Sequence, residues 1–108
     1  MAKTDQINQL LLETLAASVN QAVHLPGGLI TITFVNCSPD LKSAHVGFSV
    51  LPDKLAGTAM RALRASTSQL IPLLKPRLRL RSLPHLIWEF DATERDAGRL
   101  ERLIAEID

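Results

Sequence analysis

Seven basic residues lie between residues 54 and 88 of this 108-residue chain, and the stretch contains no carboxylate. Arginine and lysine side chains bind phosphate groups, arginine through parallel N–H donors and lysine as a compact point charge. The net charge is only +1 because residues 1–53 carry two lysines against four acids and residues 89–108 carry three arginines against seven acids. One strongly positive segment in a nearly neutral chain favours a polyanionic partner, and nucleic acid is the first to consider. The seven residues are Lys54, Arg61, Arg64, Lys75, Arg77, Arg79 and Arg81.

Three of these arginines, Arg77, Arg79 and Arg81, alternate with Leu78 and Leu80. An extended backbone would place the guanidinium groups on one side and the leucines on the other, whereas a helix would align only Arg77 with Arg81. In either conformation the leucines can anchor the segment while the arginines face outward. A charge run is most often a solvated face, but a run of this length without an acidic residue favours RNA binding.

The residue types that support catalysis or metal binding do not occur at the required spacings. Asp40 lies in a Ser-Pro-Asp turn, where a carboxylate accepts local backbone hydrogen bonds, and no nucleophile or base accompanies it. Cys37 is the only cysteine, which excludes an internal disulfide, and it is interpreted as a small buried hydrophobe. Cys37 and His45 could meet on adjacent strands, but no C-x-x-C or H-x-x-x-H spacing supports a metal site. We therefore predict no enzymatic activity, no catalytic residue, no metal and no cofactor.

Hydrophobic periodicity predicts an α+β fold in which a three-stranded sheet packs against helices. Residues 5–23 carry an apolar stripe at i, i+3, i+4 spacing, which is typical of an amphipathic helix. Residues 29–37 and 43–51 read as two strands joined by a short turn, and residues 85–91 as a third strand. A second helix begins near Asp53, and residues 93–107 are predicted to form a final acidic helix.

The second helix is predicted to break at Ser66, Thr67 and Ser68. Hydroxyl side chains compete for backbone hydrogen bonds and prefer helix caps to helix interiors. Proline is tolerated in the first turn of a helix, so a new helix starting near Thr67 or Ser68 would accommodate Pro72. The pattern therefore predicts a kinked pair of helices, of which the second is short and ends at Pro76.

Two segments at a characteristic separation make the fold assignment more specific. These are S-P-D-L-K-S-A at residues 38–44 and L-R-L-R-S-L-P-H-L at residues 78–86, followed by Asp91. With the order of elements, they make the chain closely resemble bacterial ribosome-binding factor A over almost its whole length. The resemblance implies a type II KH-like fold in the order helix, strand, strand, helix, kinked helix, strand, with a C-terminal helix.

The resemblance also implies a function. Members of the family bind the small ribosomal subunit during its late maturation, contact its ribosomal RNA, assist growth in the cold and are not enzymes. We therefore expect a non-catalytic ribosome assembly factor whose partners are the small subunit and its ribosomal RNA. The residues expected to contact RNA are Arg61, Arg64, Ser66, Thr67, Ser68, Lys75, Arg77, Arg79 and Arg81.

One position departs from the family pattern. The family carries an Ala-x-Gly break between its two central helices, whereas residues 66–68 here contain no glycine. Ile71 and Pro72 stand where the family usually has an arginine and a polar residue. Loss of the glycine removes the closest approach of backbone to phosphate, and the three hydroxyls with the following helix N–H groups could replace it as anion donors.

One alternative function remains open. In it, the chain is a protein-interaction module whose acidic final helix docks a basic ribosomal protein. The carboxylates of that helix are Glu94, Asp96, Glu101 and Glu106.

Composition sets the remaining expectations. A chain of 108 residues with 46% hydrophobic side chains is long enough for one core, so we expect a single domain over residues 1–108 and a monomer. Only four aromatic residues are present, too few for a sheet surface covered with base-stacking rings. No apolar run approaches the ~20 residues needed to span a bilayer, and the start of the chain has no signal-like segment, so we expect no membrane partner and a cytoplasmic location.

Overall fold

The computed structural model describes residues 3–80 and 82–92, which form two helices and a three-stranded sheet. Its strands lie in the order β1 (Leu29–Cys37), β2 (Ser43–Leu51) and β3 (His85–Phe90), and β1 and β2 pair antiparallel while β3 runs parallel to β2. The predicted α+β architecture, with a three-stranded sheet against helices, is confirmed. The elements are α1 (Lys3–Ala22), β1 (Leu29–Cys37), β2 (Ser43–Leu51), a 3-10 turn (Asp53–Leu55), α2 (Ala56–Leu78) and β3 (His85–Phe90).

The turn between β1 and β2 has the structural role predicted for Asp40. The backbone N–H of Leu41 donates to the carbonyl of Ser38 across 2.9 Å, which closes the turn. The Ser38 hydroxyl donates to Asp40 Oδ1 at 2.6 Å, and the backbone N–H of Lys42 donates to the same oxygen at 3.1 Å. These hydrogen bonds lower the pKa of the Asp40 carboxyl, and the bond from Ser38 has the larger effect. The carboxylate therefore stabilises the turn that joins the two strands.

A bulge in β1 brings an aromatic ring over a glycine. The register shifts between Ile32 and Phe34, so Thr33 is the extra residue and Phe34 lies opposite Gly47 on β2. A Cβ atom at position 47 would lie 2.0 Å from Cε1 of the Phe34 ring. Glycine is therefore required at position 47 because the ring occupies the space of a side chain.

The core lies between the sheet and the two helices, and it contains residues that could otherwise suggest chemistry. Cys37 is buried in this core opposite Ala44, and burial raises the pKa of its thiol. His45 is exposed, and its Nδ1 lies 2.8 Å from Oε1 of Glu89 on the neighbouring strand. The predicted buried role of Cys37 is confirmed, and Cys37 and His45 both line one pocket on the sheet.

The predicted break at residues 66–68 is wrong, because α2 continues through it from Ala56 to Leu78. Pro72 and Pro76, expected near the start and at the end of a short second helix, lie inside this single helix. The Thr67 hydroxyl donates to the carbonyl of Leu63 at 2.8 Å, so it is satisfied without ending the helix.

Burial explains why the helix continues past these unfavourable residues. Leu63, Leu70, Leu74 and Leu78 are all buried at a continuous helical spacing. Burying one leucine contributes about 1.5–3 kcal/mol, so four contribute roughly 6–12 kcal/mol. A proline inside a helix costs about 3 kcal/mol, so two cost roughly 6 kcal/mol. Burial of the apolar face of α2 therefore offsets the cost of both prolines, and it does so because that face contacts the core along the full length of the helix.

The chain leaves α2 at Arg79, which has left-handed backbone angles of φ 52° and ψ 34°. Leu80 and Leu83 then pack against the core, as predicted for anchoring leucines. The predicted acidic helix at residues 93–107 lies outside the described residues, as does Arg81. Over residues 3–80 and 82–92, no helix is long and apolar enough to cross a membrane.

Candidate nucleic-acid interface

The exposed side of α2 carries a row of cations, which we call the basic stripe. It consists of Arg61, Arg64, Ser68, Pro72 and Lys75, separated by three or four residues, and all five are exposed. At about 100° per residue these positions fall within an arc of roughly 80° around the helix. The distance along the axis from Arg61 to Lys75 is about 21 Å, at 1.5 Å per residue. The basic stripe is therefore long enough to follow several nucleotides of a strand.

The cations of the basic stripe have no acidic neighbour among the residues that the structure describes. The Arg61 side chain donates a hydrogen bond of 3.5 Å from Nη2 to the Thr58 hydroxyl. The ion pair formed within residues 3–80 and 82–92 is that of His45 and Glu89, which lies on the sheet. The three strands contain neither lysine nor arginine. Positive charge in the described part of the chain is thus concentrated on the helical side.

A groove between α2 and the edge strand β3 adjoins the basic stripe. It has a volume of about 340 Å³, and Arg64 and Thr67 line its helical wall. The strand wall is formed by residues 85–88, including Ile87 and Trp88. Arg64 therefore belongs to both the stripe and the groove, which places a cation at the rim of an apolar recess.

A hydrogen bond to Thr67 fixes the position of the Trp88 side chain, which lines this groove. The indole Nε1–H of Trp88 donates to the Thr67 hydroxyl oxygen at 2.9 Å, while that hydroxyl donates to the carbonyl of Leu63. Trp88 is 5% exposed, so its ring fills the core. Sequence reasoning missed that the same side chain lines a groove, and it had no signal for this because Thr67 and Trp88 meet only through the tertiary fold.

The structure brings together only some of the residues predicted to contact RNA. Ser66 and Thr67 are half-buried on other sides of α2, so of the three hydroxyl residues only Ser68 lies on the basic stripe. Arg77 is exposed but lies about 200° around the helix from Lys75.

The extended arrangement considered for the three alternating arginines does not form. Arg77 is helical, and Arg79 is the left-handed residue at the end of α2. Arg79 is also exposed, so it is available at the helix end, and Arg81 lies outside the described residues. The guanidinium groups of Arg77 and Arg79 therefore do not share one face of a strand, because the backbone changes from helix to loop between them.

Comparison with known proteins identifies relatives over nearly the full chain. The sequence model of the family Ribosome-binding factor A matches residues 3–104. Ribosome-binding factor A of Staphylococcus epidermidis is 31% identical over 107 residues, covering 97% of this chain and 92% of that protein. The protein of the same name from Thioalkalivibrio sulfidiphilus is 31% identical over 106 residues, covering 95% of this chain and 81% of that protein.

A solved structure shows the same fold. The crystal structure of ribosome-binding factor A from Thermus thermophilus matches with a TM-score of 0.71 and 27% sequence identity. The match covers 81% of this chain and 93% of that chain. Sequence and fold therefore agree on one set of relatives.

Proposed function

This chain belongs to the ribosome-binding factor A family, and we propose that it binds ribosomal RNA of the small ribosomal subunit and assists late maturation of that subunit. Family membership confirms the resemblance seen in the sequence and supports an association with the ribosome. The contact with RNA, the choice of the small subunit, the stage of maturation and a role in cold adaptation are parts of the proposal.

The basic stripe is the observation that carries the RNA-binding part. Arg61, Arg64 and Lys75 extend over about 21 Å of one continuous helix and are exposed to solvent. Phosphate contacts of this kind position a strand without reading its sequence. A strand whose phosphates follow the stripe passes beside the groove at Arg64, where Ile87 offers an apolar surface to a base.

Three of the groups that could support chemistry are engaged elsewhere, which supports a non-catalytic role, whereas His85 lies on the strand wall of the groove. Asp40 accepts hydrogen bonds inside its turn, Cys37 is buried, and His45 is hydrogen-bonded to Glu89. None of these residues lines the groove beside the basic stripe. We propose a cytoplasmic, monomeric, single-domain factor that acts by binding and needs no cofactor.

The alternative in which an acidic final helix docks a basic ribosomal protein stays a prediction, since its residues lie outside the described part of the chain. Salt dependence separates the two functions. Binding through phosphates weakens steeply as ionic strength rises, whereas a mixed protein interface weakens less.

Site-directed crosslinking within immature small subunits tests the proposal. A photoreactive residue at position 68, on the basic stripe, is expected to crosslink to ribosomal RNA. The same group at Thr31 serves as the matched control, because Thr31 is also exposed but lies on the sheet. Crosslinks from position 68 only to ribosomal proteins, or equal RNA crosslinking from both positions, would overturn the assignment of RNA to α2.

A further inference from the structure

Two prolines leave backbone acceptors on α2 without their helical donors. In an α-helix each carbonyl accepts from the N–H four residues later, and proline has no N–H. Pro72 and Pro76 both lie inside α2, so the carbonyls of Ser68 and Pro72 lack the donor that the helix would supply. Ser68 and Pro72 are both exposed, so these acceptors belong to residues on the solvent side of α2.

The two carbonyls coincide with the basic stripe. Ser68 and Pro72 are members of the stripe and lie between the cations Arg64 and Lys75. Their carbonyls are separated by about 6 Å along the helix axis, at 1.5 Å per residue. The stripe thus combines side chains that bind anions with backbone oxygens that accept only hydrogen-bond donors.

The chemistry of a nucleic-acid strand offers one matching donor along its backbone. Phosphate oxygens carry no proton and would bind the cations, not the carbonyls. The ribose 2′-hydroxyl is a donor next to each phosphate, and it is the group by which proteins distinguish RNA from DNA. DNA has no corresponding group.

We propose that the basic stripe selects RNA over DNA, because the carbonyl oxygens of Ser68 and Pro72 accept hydrogen bonds from ribose 2′-hydroxyl groups while Arg64 and Lys75 bind the adjoining phosphates. This inference rests on the proposed function and adds the chemical feature of the strand that is recognised. Pro72 and Pro76 are then specificity-determining residues. Both prolines are exposed, so burial in the core does not explain their presence inside a helix.

A sugar-modified oligonucleotide isolates the proposed contact. A single-stranded uridine oligonucleotide and its 2′-fluoro counterpart carry the same phosphates and bases, but the fluoro sugar cannot donate. Fluorescence anisotropy at low salt should show that the full chain prefers the ribose form by roughly fivefold for each hydrogen bond formed. The double variant P72A/P76A restores both backbone donors, so the ratio of its affinities for the ribose and 2′-fluoro forms should fall close to one.

Lys75→Ala is the matched control, because it removes a phosphate contact and leaves the carbonyls unaltered. Its affinity for both oligonucleotides should fall by the same factor, so that the preference is retained. Circular dichroism should show equal or greater helix content in P72A/P76A, which excludes loss of folding as the cause. Equal wild-type affinity for the two oligonucleotides, or an unchanged preference in P72A/P76A, would overturn the inference. Failure of the crosslinking experiment described above would instead count against RNA binding by α2 in the subunit.

Discussion

Removing the cations of the basic stripe should weaken RNA binding in a way that depends on salt. In the triple variant R61A/R64A/K75A three exposed charges are lost from one face of α2. For a single strand, each phosphate contact contributes about 0.7 to the slope of log affinity against log salt concentration. Three contacts therefore account for a slope of about 2, and for roughly a 100-fold loss of affinity at about 0.1 M salt.

Stability should change little in the same variant. All three side chains are exposed, and Arg61 donates a 3.5 Å hydrogen bond to Thr58. Exposed substitutions of this kind usually change the free energy of unfolding by less than about 0.5 kcal/mol each. Thermal unfolding should thus separate a loss of binding from a loss of fold.

The assay is cosedimentation with small ribosomal subunits across a salt series, with Arg77→Ala as a comparison for Lys75→Ala. Both substitutions remove one positive charge, but Arg77 lies about 200° around the helix from Lys75. We expect Lys75→Ala to lower the salt slope by about 0.7 and Arg77→Ala to lower it by less. An unaltered slope in the triple variant, or equal slopes for the two single variants, would refute the reasoning from the basic stripe.

Three further predictions concern the fold that supports this face. Gly47→Ala places a Cβ atom 2.0 Å from the Phe34 ring and should lower the free energy of unfolding, measured by chemical denaturation, by about 1–3 kcal/mol. Partial rescue by adding Phe34→Leu would support this cause, and unaltered stability would contradict it. Thr67→Val leaves the buried indole N–H of Trp88 without its acceptor and should cost about 1–3 kcal/mol, measured through the fluorescence of this sole tryptophan. The pKa of Asp40 is lowered in the folded state, so its carboxylate contributes fully to folding stability above the unfolded pKa, and this contribution is lost as pH falls through the folded pKa. Asp40→Asn should therefore flatten the fall of the unfolding temperature below about pH 4, and an unchanged pH profile would exclude the turn as the origin of that fall.

The hairpin was predictable because its determinants are local. The bounds of β1 and β2 agree with the segments predicted from alternation, and Asp40 accepts the hydrogen bonds expected of a turn residue. The positive segment was likewise visible from the sequence, since charge sorting along the chain requires no knowledge of the fold.

The bulge at Thr33 and the ring of Phe34 over Gly47 were not predictable in the same way. A bulge changes which residues face each other across two strands, and nothing local marks the extra residue. The sequence shows a glycine in a strand, but the reason for it lies on the partner strand.

The amino-acid sequence by itself determined the two strands of the hairpin, their turn, the positive character of the central segment and the resemblance to the family, because each depends on neighbouring residues or on matched segments. Tertiary structure decided that α2 is continuous across Ser66, Thr67 and Ser68, and therefore which cations share a face. The physical reason is that burial of four leucines in the core between the sheet and α1 outweighs the local preference of hydroxyls and prolines to end a helix. Because that helix is continuous, its rotation of about 100° per residue places Arg61, Arg64 and Lys75 on one face and Arg77 on another.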